Sequence, residues 1–319
     1  MNNQKKKIFI DGSEGTTGLR IFERFENRDD IELLKIPSES RKAPTAIKQF
    51  IHASDITFLC LPDAAAREAV ALAEDEDVVL IDTSTAHRTE PGWAYGYPEL
   101  SAQHREAIRT GRRIAVPGCH ATGFITLVYP LIANGILPAD YPVSCFSVTG
   151  YSGGGKKMIA EYEGENRSDE LLSPRQYGLS QTHKHLKEMK AVTGLAREPL
   201  FSPIVADYYS GMLVSVPLYT ELLNGSQTPE TIHTMFEEHY AGEKFIKVMP
   251  LGAEAESRNF LGSNNRSGWD GLELFVSGND ERVLLSSRFD NLGKGASGAA
   301  IQCLNIVLGC DETKGLHIK

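Results

Sequence analysis

The apolar run KIFID at 7–11 passes directly into the glycine-rich GSEGTTG and then into LRIFERF, whose apolar residues recur at helical spacing. That order, strand then glycine turn then helix, predicts a βα unit and narrows the choice of fold more than any other part of the chain. Gly12, Gly15 and Gly18 stand three residues apart. Glycines let a backbone approach a phosphate closely, and the following helix turns unpaired N–H groups and a partial positive charge toward it. Gly12, Ser13, Gly15, Thr16, Thr17 and Gly18 are therefore candidate ligands of a dinucleotide pyrophosphate. The spacing is G-x-x-G-x-x-G, not G-x-G-x-x-G, and glycine turns also close ordinary βα units. The strand that precedes the turn favours the dinucleotide.

The alternation continues. IELLKI, DITFLCLP, VVLIDTS and RRIAVPG are short apolar runs, and helical patterns such as TAIKQFIH and AAREAVALAE lie between them. Such spacing predicts a Rossmann-type, doubly wound α/β domain with a mostly parallel sheet. After Cys119 the pattern changes to a long helical stretch and then alternating strands, with a hairpin signal G-N-D between GLELFVSG and RVLLSSRF. This predicts an α+β domain with a large mixed or antiparallel sheet. A last helical pattern at 294–309 suits a return to the first domain, giving expected boundaries of 1–118 plus 292–319 and of 119–291.

The net charge of −9 opposes polyanionic partners, so neither nucleic acid nor an anionic membrane surface is expected. No secretory leader is recognisable after MNNQKKK, and the apolar stretch 124–137 is broken by Pro130 and falls short of the ~20 residues of a membrane span. Five cysteines, three of them in apolar contexts, read as reduced thiols of a cytoplasmic protein.

One cysteine differs from the others. Cys119 follows a strand and a Pro-Gly turn at the entry to a helix, where a thiol ionises more easily and can attack an electrophilic carbonyl. QTHKHLKEM supplies His183 and His185 as candidate acid/base groups. At a helix start, residues two apart diverge, so at most one is expected to face Cys119. The pair lacks the further ligands of a metal site, and no metal is expected. A second glycine cluster, TGYSGGGKK, makes Ser152, Gly153, Gly154 and Lys156 candidates for holding a substrate anion, with Arg88 as a further cation. At the end of the second strand, Glu39 suits a free 2′-hydroxyl, whereas Ser38, Ser40, Arg41 and Lys42 suit a 2′-phosphate. The balance favours NADP, through Ser38 and Arg41.

The segments FIDGSEGTTGLRI, DTSTAHRTEPGWAYGYPEL, VPGCHATG, GYSGGGKKMIAEYE and RFDNLGKGASGAAIQCLN together resemble the short (type 2) N-acetyl-γ-glutamyl-phosphate reductases. The resemblance implies the fold shared with aspartate-semialdehyde dehydrogenase, with the glycine-rich start of the last helix, Gly293 and Gly295, near the nicotinamide and Ser84 among the cofactor contacts. It also implies NADPH-dependent reduction of an acyl phosphate in arginine biosynthesis. Cys119 is then the nucleophile and a histidine of the H-x-H segment the acid/base, His183 being favoured over His185. A homodimer or homotetramer is expected. The family commonly has Asn-Pro-Gly-Cys-Tyr-Pro where this chain has Val116-Pro117-Gly118-Cys119-His120-Ala121. Two other readings stay open from the residues alone: a reductase of another acyl phosphate such as aspartyl phosphate, and a non-catalytic NADP-binding sensor.

Overall fold

The computed structural model describes residues 5–26, 28–73 and 77–318. Its internal contacts form two compact units, one of Met1–Gly118 with Ala296–Leu316 and one of Cys119–Gly295 with His317–Lys319.

The first unit contains β1 (Lys6–Asp11), α1 (Thr16–Phe25), β2 (Ile31–Leu34), α2 (Pro44–Ala53), β3 (Ile56–Leu59), α3 (Asp63–Leu72), β4 (Val79–Asp82), β5 (Ala94–Tyr95), α4 (Ala102–Thr110) and β6 (Arg113–Ala115). The strands form one parallel sheet in the order β2-β1-β3-β4-β6-β5. Strand side chains alternate between faces, so Ile8 and Ile10 of β1 enter one core with Ile21 and Phe25 of α1. Phe9 enters the opposite core with Ile51 of α2 and Ala69 of α3. The doubly wound reading of the sequence is therefore met on both faces. The two-residue β5 is an addition that sequence periodicity does not reveal.

The second unit contains α5 (Cys119–Ala133), β7 (Ser144–Gly150), α6 (Gly155–Glu163), β8 (Arg175–Gln176), α7 (His185–Thr193), β9 (Leu200–Ala206), β10 (Met212–Tyr219), α8 (Pro229–His239), β11 (Ile246–Val248), β12 (Leu272–Gly278) and β13 (Arg282–Phe289). Its sheet is mixed, in the order β11-β12-β13-β10-β7-β9-β8, and β12 and β13 form the expected antiparallel hairpin. One face carries α5. Gly123 allows the helix onto the sheet, since a Cβ there would stand 2.5 Å from Val214 Cγ2 and 2.8 Å from Ser287 Oγ. On the other face Phe146, Leu200, Tyr219 and Leu284 are exposed. The strand registers put these four side chains on one side of the sheet.

Pro130 lies inside α5 and brings no N–H to the carbonyl of Thr126. The Tyr240 hydroxyl, just after α8, donates to that carbonyl instead, at 2.8 Å. After β13 a π-helical turn, Gly293–Ser297, leads into α9 (Gly298–Leu308), whose Ala300, Ile301 and Leu304 are buried in the first unit's core. Among the described residues, no helix is long and apolar enough to cross a membrane.

Candidate active site

In the first unit, the turn after β1 is built as the glycines imply. Gly12 has φ +85°, and a Cβ there would stand 2.3 Å from the Cys60 carbonyl oxygen. The Gly15 amide donates to the Gly12 carbonyl at 2.9 Å, closing the turn one residue before α1. The first turn of α1, opening with Thr16 and Thr17, holds no acidic residue and has no side-chain cap, so its amides suit an anion. A cavity of about 350 Å³ adjoins the turn, lined by Gly12, Ser13, Gly15, Ser38, Arg41 and Lys42 among others. Arg41 is ion-paired with Glu14 at its rim. Asp11 also lines it, and burial pushes that carboxyl up to about 6 although the Gly12 amide opposes the rise.

Two first-unit candidates hold the backbone. Ser84 donates to the Asp82 carboxylate at 2.7 Å, the same group that engages Nδ1 of His87 at 2.6 Å, and Trp93 stacks on the His87 ring. Arg88 donates to the carbonyls of Val116 and Thr83, tying the end of β4 to the segment that leads into α5.

The second unit begins with Cys119 as the first residue of α5. The helix is apolar and buried along most of its length, which fixes the position of its first turn. Cys119 is half-buried, as is Cys60, whose thiol the surrounding burial pushes up to about 12, while Cys145 is buried and its thiol lies well above its ordinary range. Gly295 lies against Cys119, and a Cβ there would stand 3.0 Å from the cysteine Cβ. The loop bearing Gly293 and Gly295 is held by Asp290, whose carbonyl accepts both glycine amides at 3.0 and 3.1 Å.

Three imidazoles meet at His120, the residue after Cys119. The His120 ring lies 5.6 Å from the rings of both His183 and His185, which are 4.8 Å from each other, and Phe201 closes the group. Both residues of the H-x-H pair turn toward His120, the residue after Cys119. His183 precedes α7 and His185 begins it, and the bend between them brings both rings onto His120. Nδ1 of His183 accepts the His185 amide at 3.2 Å, which leaves the proton of the neutral ring on Nε2. Burial, aided by the Lys184 charge, lowers His183 to about 4. Burial, with the charges of His183 and Lys184, lowers His120 to about 3. Both rings are neutral at pH 7.

Sequence reasoning missed Tyr177, whose hydroxyl lies 2.6 Å from Nε2 of His120, and Ser147, whose Oγ lies 2.6 Å from Nδ1 of the same ring. No local signal joins positions 120, 147 and 177; only the fold does. Ser152 of the second glycine cluster is buried and accepts from Asn291 Nδ2 at 3.0 Å. Gly153, Gly154 and Lys156 are exposed around the start of α6. No group of three or more His, Cys, Asp or Glu residues able to hold a metal ion occurs among the described residues.

Residues 7–109 match the family model of the semialdehyde dehydrogenase NAD binding domain, and residues 119–291 that of the semialdehyde dehydrogenase dimerisation domain. The chain is 45% identical over 320 aligned positions to N-acetyl-gamma-glutamyl-phosphate reductase 2 of Nostoc sp., with 98% of this chain and 99% of that one covered. It is 47% identical over 309 positions to N-acetyl-gamma-glutamyl-phosphate reductase of Brucella ovis, covering 96% and 99%. Among solved structures, aspartate semialdehyde dehydrogenase II of Vibrio cholerae complexed with ASA superposes with a TM-score of 0.72 at 15% identity, covering 96% and 99% of the two chains. That likeness is one of fold.

Proposed function

Since this chain belongs to the semialdehyde dehydrogenase family, and within it to the N-acetyl-γ-glutamyl-phosphate reductases, we propose that it reduces N-acetyl-L-glutamyl 5-phosphate to N-acetyl-L-glutamate 5-semialdehyde with release of phosphate, in arginine biosynthesis. The observation that carries the reading is Cys119 at the start of a buried helix, followed by His120, on whose ring His183 and His185 converge.

In this reading the Cys119 thiolate attacks the acyl carbon, the carbon–oxygen bond to phosphate breaks, and the acyl group stays on sulfur as a thioester. A reduced nicotinamide, when bound, supplies the hydride that brings this acyl carbon to the aldehyde level. Breaking of the carbon–sulfur bond then returns the thiolate, and His183 or His185 handles the proton, with His183 favoured because its Nε2 carries one. Gly12, Ser13, Gly15, Thr16, Thr17 and Gly18 would hold the pyrophosphate; the uncapped first turn of α1, free of acidic residues, supports this. NADP is preferred to NAD on the cations Arg41 and Lys42 beside Ser38 at the cavity. Arg88, Ser152, Gly153, Gly154 and Lys156 are kept as substrate contacts, and Ser84, Gly293 and Gly295 as cofactor contacts.

We further assign the enzyme to the cytoplasm, where the thiol it needs stays reduced. A homodimer or homotetramer formed through the sheet face bearing Phe146, Leu200, Tyr219 and Leu284 suits its dimerisation-domain match. The decisive assay runs the reaction backwards: phosphate-dependent reduction of NADP by N-acetylglutamate semialdehyde, with NAD in parallel. Turnover of aspartyl phosphate but not of the N-acetylglutamyl compound overturns the substrate assignment. Undiminished turnover after Cys119→Ser overturns the mechanism.

A further inference from the structure

Asp11 ends β1 and Asp82 ends β4, in register through Leu59 of β3, which lies between them. The three side chains therefore leave the sheet on one side, the side on which Phe9 meets α2 and α3. Both carboxylates are buried, Asp82 fully and Asp11 to 6% exposure. Asp82 is well supplied with donors: the Ser84 amide at 2.8 Å, the Ser84 hydroxyl at 2.7 Å and Nδ1 of His87 at 2.6 Å. Asp11 is not. The Gly12 amide reaches its carboxyl, but Oδ2 is buried without a hydrogen-bond partner among the described residues. Burial of an ionised oxygen without a donor disfavours the charged form.

Asp11 also lines the cavity at the glycine turn. The charged residues that line it alongside are Glu14, ion-paired with Arg41, and Lys35 and Lys42. The helices α2 and α3 send Ile51 and Ala69 toward this side of the sheet, and α1 covers the other side. Beyond the end of β3 the Cys60 thiol, pushed up to about 12 by burial first and then by the charges of Asp82 and Asp11, stays neutral. A carboxylate beside a site for phosphates is thus a like charge in a place closed to water. Phosphates of a dinucleotide backbone keep their charge far below neutral pH, so the carboxyl is the group that yields, and filling the cavity moves its titration further up.

We propose that Asp11 is a proton-coupled binding residue: a phosphate-bearing dinucleotide held at the glycine turn is bound together with one proton from solvent, which resides on the Asp11 carboxyl. The inference rests on the glycine turn being the pyrophosphate site, and it adds a pH dependence which that reading alone does not imply.

Isothermal titration calorimetry of the full-length chain with NADPH, in two buffers of different ionisation enthalpy, counts the protons. Burial raises the free carboxyl only to about 6, so at pH 7 it is mostly ionised and roughly one proton should be taken up per NADPH bound. The 2′-phosphate of NADPH titrates over the same range, so the count is read as the difference between the wild-type chain and Asp11→Asn, whose amide imitates the neutral acid. The wild-type Kd should rise about tenfold from pH 6 to pH 8 relative to that of Asp11→Asn, which should be the tighter binder at pH 8. Glu14→Gln removes the other carboxylate of the cavity and should keep the uptake. Equal proton counts in wild type and Asp11→Asn, or an uptake lost in Glu14→Gln but kept in Asp11→Asn, overturns the inference and leaves the cofactor site standing. So does a wild-type affinity that gains on Asp11→Asn as pH rises, because Asp11 would then serve as a charged acceptor. Absence of NADPH binding by the wild-type chain across pH 6 to 8 overturns the dinucleotide reading and this inference with it.

Discussion

Replacing Gly12 by alanine tests the dinucleotide turn with a single methyl group. Two penalties add. Gly12 has φ +85°, and a left-handed backbone costs a residue bearing a Cβ about 1–2 kcal/mol. The new Cβ would also stand 2.3 Å from the Cys60 carbonyl oxygen and 3.2 Å from Leu61 Cδ2. A backbone oxygen cannot swing aside as a flexible side chain does, so the turn must shift bodily, and overpacking of this kind costs about 1–3 kcal/mol. The sum is about 2–5 kcal/mol, a loss that a domain of this size reads as roughly 6–15 °C in Tm. The shift also moves the first amides of α1 away from any phosphate they bind, so NADPH affinity should fall about tenfold or more. Gly15→Ala is the internal control: its Cβ would meet the Gly12 carbonyl oxygen at 3.3 Å, its φ is ordinary, and the loss should stay under about 1 kcal/mol. Thermal unfolding and fluorescence titration with NADPH measure both. Equal Tm and equal affinity for the two variants would refute the reasoning.

Three further outcomes follow from particular contacts. Glu273 is fully buried; burial alone would raise its carboxyl, but hydrogen bonds from Arg266 and Arg288 outweigh this and hold it below its ordinary value. Its contribution is thus complete above the unfolded-state value and lost as pH falls through the lower folded one, and Glu273→Gln should lose about 3 kcal/mol at pH 7, read by urea unfolding. Asp11 carries the opposite sign: raised from 3.8 to about 6 in the fold, it lowers stability as pH climbs between those values. Asp11→Asn should therefore raise Tm at pH 8 and leave it unchanged at pH 3, and a stabilisation confined to acid would contradict the assignment. Gly295→Ala forces a Cβ to 3.0 Å from that of Cys119; steady-state kinetics should show kcat reduced about 10–100-fold.

What could be read from the sequence is what depends on neighbours along the chain. The βα alternation of the first unit follows from short apolar runs, and the β12–β13 hairpin from Gly278-Asn279-Asp280. The start of α5 follows from Pro117-Gly118 before an apolar run. What depends on distant partners was out of reach. His120 looked like a bystander because its partners, Ser147 and Tyr177, lie 27 and 57 residues away. Arg88 reads as a loose cation in sequence, yet a carbonyl 28 residues on takes its Nε. The geometry of the H-x-H pair depended on where α7 begins, and a boundary shift of one residue redirects a side chain.

The Pro130–Tyr240 arrangement bears on how such a chain changes over generations. The proline deletes an amide from the middle of α5, and a hydroxyl from beyond α8 stands in at the Thr126 carbonyl. The two positions are thus coupled through one carbonyl. Phenylalanine at 240 should be well tolerated only in descendants that have already regained an amide at 130, and the order of those two substitutions decides which evolutionary route stays open.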